Sequence, residues 1–137
     1  MVGQPTLDVS LVSRLAFHPE TNRVHVSFAS KFCHFFINQE MYPILDDVAC
    51  LTLKHFLRHD YATKEPRYES FLENLKRLRS SSSELEAANL TNAELDRFLW
   101  LFGLWKRARN GDNKINSEAK RVFLDPPPAI IRRLDPN

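Results

Sequence analysis

The chain has 137 residues, 43% hydrophobic and 26% charged, with 19 Lys and Arg against 17 Asp and Glu for a formal net charge of +2. That is the ordinary mix of one globular domain, large enough to bury about two-thirds of its unfolded surface without covalent or metal staples. Two cysteines, three glycines and no apolar run near the ~18 residues of a membrane helix leave out a disulfide framework, a repeated Cys-x-x-Cys zinc site, a glycine-rich phosphate loop and a transmembrane protein.

In chain order, MVGQPTLDVS has no basic stretch followed by an apolar core, so no secretory signal is expected and the location is expected to be cytoplasmic. A short helix is expected around Leu7–Phe17, closed by the turn-rich His18-Pro19-Glu20-Thr21-Asn22. Arg23–Phe28 alternates in the period of two that suits a short extended segment. From Phe28 the spacing becomes helical. Phe28, Phe32, Phe35 and Phe36 share one face with Ala29, Cys33 and Ile37 beside them, while Ser27, Lys31, His34 and Asn38 line the other side.

Tyr42-Pro43 imposes an extended step, and Asp46 then stands where a carboxylate caps the first turn of a helix over Asp47–His59. Its apolar residues, Val48 to Leu57, are wide enough in spread to make it central. Tyr68, Phe71, Leu72, Leu75 and Leu78 mark a further helix behind Pro66. The run Ser80-Ser81-Ser82-Ser83 and the acidic piece after it read as a flexible surface loop. Thr91-Asn92-Ala93-Glu94 is a capping-box sequence, opening a helix whose broad apolar surface places it deep in the bundle until Asn110-Gly111-Asp112 closes it. A last helix is expected near Asn116–Phe123, before Asp125-Pro126-Pro127-Pro128, which no helix crosses. The expected fold is all-α: one compact bundle of five or six helices over 1–125, with a short N-terminal extended segment and a Pro-rich tail over 126–137.

Several residues can carry chemistry. His55 and His59 stand four apart, the spacing with which a helix brings two imidazoles to one ion. No glutamate follows His55 and no third ligand is identifiable, so neither a metal nor a cofactor is expected. Cys33 and His34 are adjacent and point about 100° apart on a helix, which suits a buried cysteine beside a surface histidine better than a thiol and its base. Lys31 and His34 share a polar face, and Asp46 and Asp47 lie beyond the next turn. A helix–turn–helix arrangement would gather an amine, an imidazole and a carboxylate in one cleft, as imine or hydrolytic chemistry needs. Otherwise Asp46 only caps and Lys31 is only surface.

From Lys106 onward eight bases face four acids. Lys106, Arg107, Arg109, Lys114, Lys120 and Arg121 form the candidate phosphate-contacting set. The stretch FLWLFGLWKRAR interleaves aromatics with these bases. It offers a stacking surface, or else Trp100 and Trp105 belong to the core and the bases favour the helix C-terminus.

The stretch FASKFCHFFINQEMYPILD, Phe28–Asp46, resembles a family of uncharacterised bacterial proteins, as does ELDRFLW, Glu94–Trp100. That family is in turn similar to the helix–hairpin–helix DNA glycosylases. The resemblance implies a helix–hairpin–helix-like fold and places Asp46 as the aspartate that activates water or stabilises positive charge on a sugar. The glycines with which such hairpins approach a phosphate have no counterpart in Arg23-Val24-His25-Val26-Ser27. The expected function is a nucleic-acid-associated domain, base-excision-like if catalytic, with DNA or RNA as partner through the basic C-terminal third. The alternative is a non-enzymatic protein-interaction or dimerisation module, such as an accessory protein of a mobile element, pairing through exposed aromatics.

Overall fold

A computed structural model describes residues 6–111. Within them six α-helices pack as a bundle: α1 Val9–Ala16, α2 Val26–Phe36, α3 Asp47–Leu57, α4 Arg67–Arg79, α5 Ser83–Ala88 and α6 Asn92–Arg109. A two-stranded antiparallel ribbon, β1 Phe17–His18 and β2 Arg23–Val24, joins α1 to α2. Asn22 takes a left-handed φ of 52° in its turn, a conformation asparagine tolerates better than most residues. The fold is all-α, as the sequence predicts. The helix expected at Asn116–Phe123, the Pro-rich tail and Lys114, Lys120 and Arg121 lie outside the described residues.

Helix α3 is the centre, packed on α6 along one side and α4 along another. The α3–α6 approach is set by Gly103. A Cβ built there would stand 2.5 Å from Val48 Cγ1 and 2.8 Å from the Val48 carbonyl oxygen. In the same crossing the buried Thr52 hydroxyl donates to the Leu99 carbonyl at 2.7 Å. Phe98, Phe102 and Trp105 are buried there, with the Phe56 ring centre 4.7 Å from that of Phe102 and the two rings tilted by 52°. The capping box of α6 is complete, Thr91 and Glu94 each bonding the other's backbone N–H.

Within the bundle the structure corrects the sequence reading at α5, at Trp100 and at α2. The serine run is not simply a loop, because Ser82 accepts from Leu85 N and caps α5, and Leu85 is buried. The glutamates Glu84 and Glu86 sit in its first turn, where the helix dipole favours them. Trp100 is 54% exposed and does not belong to the core.

The third correction concerns α2, which buries the opposite face from the one its phenylalanines suggest. Val26, Ala29, Ser30, Cys33 and His34 point inward, whereas Phe28, Phe32, Phe35 and Phe36 stand at the surface. The physical reason is the close packing of α2 on α1, where Val12, Ala16, Ala29 and Cys33 are all completely enclosed. Small side chains let two helix axes approach, and a phenylalanine there would hold them apart.

Candidate functional site

The short loop from α2 to α3 is held through its main chain. Ser30 Oγ receives the Leu45 N–H at 3.0 Å, and Tyr68 donates its hydroxyl to the Pro43 carbonyl at 2.8 Å. His34 Nδ1 lies 2.9 Å from the Tyr42 carbonyl, and both oxygens of Asp96 lie 3.3 Å from the Ile44 nitrogen. Side chains from α2, α4 and α6 thus fix the backbone that delivers Asp46. A buried main-chain group without a partner costs on the order of 1–3 kcal/mol, so each of these bonds matters.

Asp46 caps α3 with Oδ1 accepting from Ala49 N at 2.8 Å. Its other oxygen faces Lys31 Nζ at 3.9 Å. Lys31, His34 and Asp46 line one open cleft of about 380 Å³, completed by Phe35, Gln39, Ile44, Ala49, Ala93, Asp96, Arg97 and Trp100. The three residues singled out from the sequence are therefore gathered in one place. His34, however, is buried rather than on the surface. A carbonyl oxygen only accepts, so the bond to Tyr42 puts a proton on Nδ1.

Sequence reasoning missed Asp96, whose Oδ2 is 3.5 Å from His34 Nδ1. Burial pushes its carboxyl up to about 7. The Ile44 N–H pulls the other way, while the nearby Asp46 and Glu40 carboxylates add to the rise. A signal was present: a carboxylate set among Leu95, Phe98 and Leu99, on a helix expected deep in the bundle, has to find a buried partner. Arg97 was missed as a cleft residue, and Trp100 was weighed only as part of a stacking surface or of the core.

The other candidates do not converge. Cys33 is enclosed and its thiol is pushed up by burial, the reverse of an activated nucleophile. His55 packs between Phe56 and Phe102, both with ring centres 5.1 Å away. His59 belongs to a 3₁₀ turn beyond Arg58, whose φ of 51° breaks the helix that would have aligned it with His55. Among the described residues no three metal-ligating side chains come together. A second hollow of about 390 Å³ lies over Cys50, Lys54 and Tyr61. Tyr61 there is pushed up to about 12, first by burial, so its hydroxyl is no acid near neutrality.

Lys106, Arg107 and Arg109 occupy the last turn of α6. The Arg109 guanidinium rests 5.3 Å from the centre of the Trp105 ring. Ten residues separate Lys106 from Asp96, about 15 Å along the helix. Asp47 starts α3 beside Asp46 but lines the second hollow rather than this cleft. No described helix is long and apolar enough to cross a membrane. Comparison with protein-family models, with curated proteins and with solved structures finds no match to this chain, so function has to be read from the chemistry of the cleft itself.

Proposed function

We propose that this chain is a nucleic-acid-associated, helix–hairpin–helix-like domain that receives an unstacked base in the cleft between α2 and α6, with base-excision-like chemistry centred on Asp46. The observation that carries the reading is the composition of the cleft. Two exposed aromatics, Phe35 and Trp100, flank a cluster of two cations, Lys31 and Arg97, and two carboxylates, Asp46 and Asp96. An extruded base offers a π-face for the aromatics, and its backbone offers phosphates for the cations.

Breaking an N-glycosidic bond builds positive charge on the sugar and needs a proton for the departing base. Asp46, held on the α3 amides and beside Lys31, is the carboxylate fit to face that charge. Burial lets Asp96 keep its proton to higher pH than an ordinary carboxyl, up to about 7, which makes it the group in the cleft suited to give one. The Phe28–Asp46 resemblance gives Asp46 the same role. Lys106, Arg107 and Arg109 extend the phosphate-contacting surface along α6. Both cysteines are buried and unpaired, which suits the reducing cytoplasm.

The test is fluorescence anisotropy with single-stranded and mismatch-containing oligonucleotides across a salt series. Binding is expected at low salt, with a slope of roughly 0.7–0.9 per phosphate contact. Trp100→Ala is expected to lose ~1–3 kcal/mol of binding as its stacking is removed. Asp46→Asn is expected to bind normally and to abolish base release, scored as alkali-labile strand breaks. No binding at low salt rejects the reading, and equal base release by Asp46→Asn removes that residue from the chemistry.

A further inference from the structure

We infer that His34 is the general base of the cleft, its Nε2 taking the proton of the attacking water as Asp96 gives one to the departing base. This role rests on the base-excision reading and supplies the group that activates water. Asp46 is poorly disposed for that step, because both its oxygens already have partners, Oδ1 the Ala49 N–H and Oδ2 the Lys31 ammonium. It is left to face the charge on the sugar.

The His34 ring is held at one edge and open at the other. Its polar partners among the described residues, the Tyr42 carbonyl at 2.9 Å and the Asp96 carboxyl at 3.5 Å, both lie at Nδ1. No enclosed polar side-chain atom among those residues is left without a partner, so Nε2 is the edge that meets solvent. His34 borders the cleft and the shallow hollow that adjoins it at Phe35 and Gln39. A carbonyl can only accept, which fixes the proton on Nδ1 and leaves Nε2 with a lone pair. A lone pair held toward water is what a general base requires.

Burial couples this base to Asp96. The two side chains are 9% and 11% exposed, where an uncompensated charge is expensive. In the step proposed, the N-glycosidic bond breaks with its electron pair going to the base, which takes the Asp96 proton. The water oxygen bonds the sugar carbon, and the water proton goes to Nε2. A neutral pair thereby becomes an ion pair 3.5 Å apart, and the net charge of the cleft is unchanged. The imidazolium then returns its proton to Asp96 through solvent. Lys31 from α2 and Arg97 from α6 offset Asp46 and Glu40 from the loop, and Tyr68 from α4 stays neutral because burial pushes its hydroxyl up. The exchange between His34 and Asp96 is therefore the change of charge that follows pH.

Nitrogen NMR of the full chain and base release across pH are the test. In its neutral form the His34 imidazole is expected to carry its proton on Nδ1, and a proton on Nε2 overturns the inference whatever the activity. Base release by the parent chain is expected to follow a bell in pH, with an acid limb from His34 and an alkaline limb at about 7 from Asp96. His34→Gln, whose amide can still donate to Tyr42, is expected to bind oligonucleotides as the parent does. It is expected to release base about 100-fold more slowly and to lose the acid limb. Asp96→Asn is expected to be slow as well and to lose the alkaline limb instead. If His34→Gln keeps the acid limb while Asp46→Asn is silent, the inference alone falls. A parent chain that binds but releases no base overturns it together with the base-excision reading.

Discussion

Helices α2 and α6 each carry four aromatic residues, yet they dispose of them in opposite ways. In α6, Phe98, Phe102 and Trp105 are buried and only Trp100 faces out. In α2 all four phenylalanines face out, and the buried side is made of Ala29, Ser30, Cys33, Val26 and His34. Hydrophobicity alone does not choose the buried face, because the room left by the neighbour also counts. Against α3 the absent side chain of Gly103 brings the backbones together at one point, and the rings of Phe56, Phe98 and Phe102 fill the space beside it. Against α1 the interface is lined by alanine, valine and cysteine, and no ring fits.

The sharpest way to test that contrast is to delete one ring from each helix. Phe102→Ala is expected to cost roughly 3–5 kcal/mol in chemical denaturation, as an enclosed aromatic does. A loss under about 1 kcal/mol would mean that the α3–α6 seam is not the core of the bundle.

The polar residues separate the two helices as well, since His34 of α2 meets Asp96 of α6 across the cleft. Asp96 titrates at about 7 in the fold against 3.8 in the free side chain, so the folded chain holds a proton that the unfolded chain releases. Stability is therefore fullest at pH below about 4 as far as this group is concerned, and is lost as pH rises toward 7. Between pH 5 and 8 the loss from Asp96 is expected to be roughly 2–3 kcal/mol. Asp96→Asn is expected to flatten that part of the profile, and an unchanged slope would show that Asp96 ionises normally.

Overfilling the small face of α2 comes next in size. Ala29→Leu is expected to destabilise by about 1–3 kcal/mol, the usual cost of forcing extra methylenes into a packed contact. Last is the exposed partner of the first test. Phe36→Ser is expected to change stability by less than about 0.5 kcal/mol.

Much of this architecture is legible from residue patterns. The Asp46 cap, the Thr91–Glu94 capping box, the proline before α4 and the glycine after α6 each act within one turn of chain, so local chemistry decides them. Lys31, His34 and Asp46 are legible as a group because a single short loop separates them. The orientation of α2 is not legible, since it depends on a helix ten residues upstream whose small side chains must be matched. Nor is Asp96, which reaches Ile44 across 52 positions of sequence. Trp100 and Asp96 enter the cleft together because they are four residues apart on α6, and that strip becomes visible only once the opposite side of the helix is seated on α3.

Ser30, His34, Tyr68 and Asp96 bond the loop from Tyr42 to Leu45 at its main-chain atoms. Main-chain atoms are nearly the same in every amino acid, so the hold on Ile44 does not depend on its side chain, whereas Tyr42 and Leu45 bury theirs in the core. Ile44 contributes its nitrogen to this grip and also lines the cleft. Position 44 is thus a replaceable wall on a fixed mount. Exchanging its side chain reshapes what the cleft admits while Asp46 stays where it is, which is how a lineage or a designer would retune selectivity without rebuilding the site.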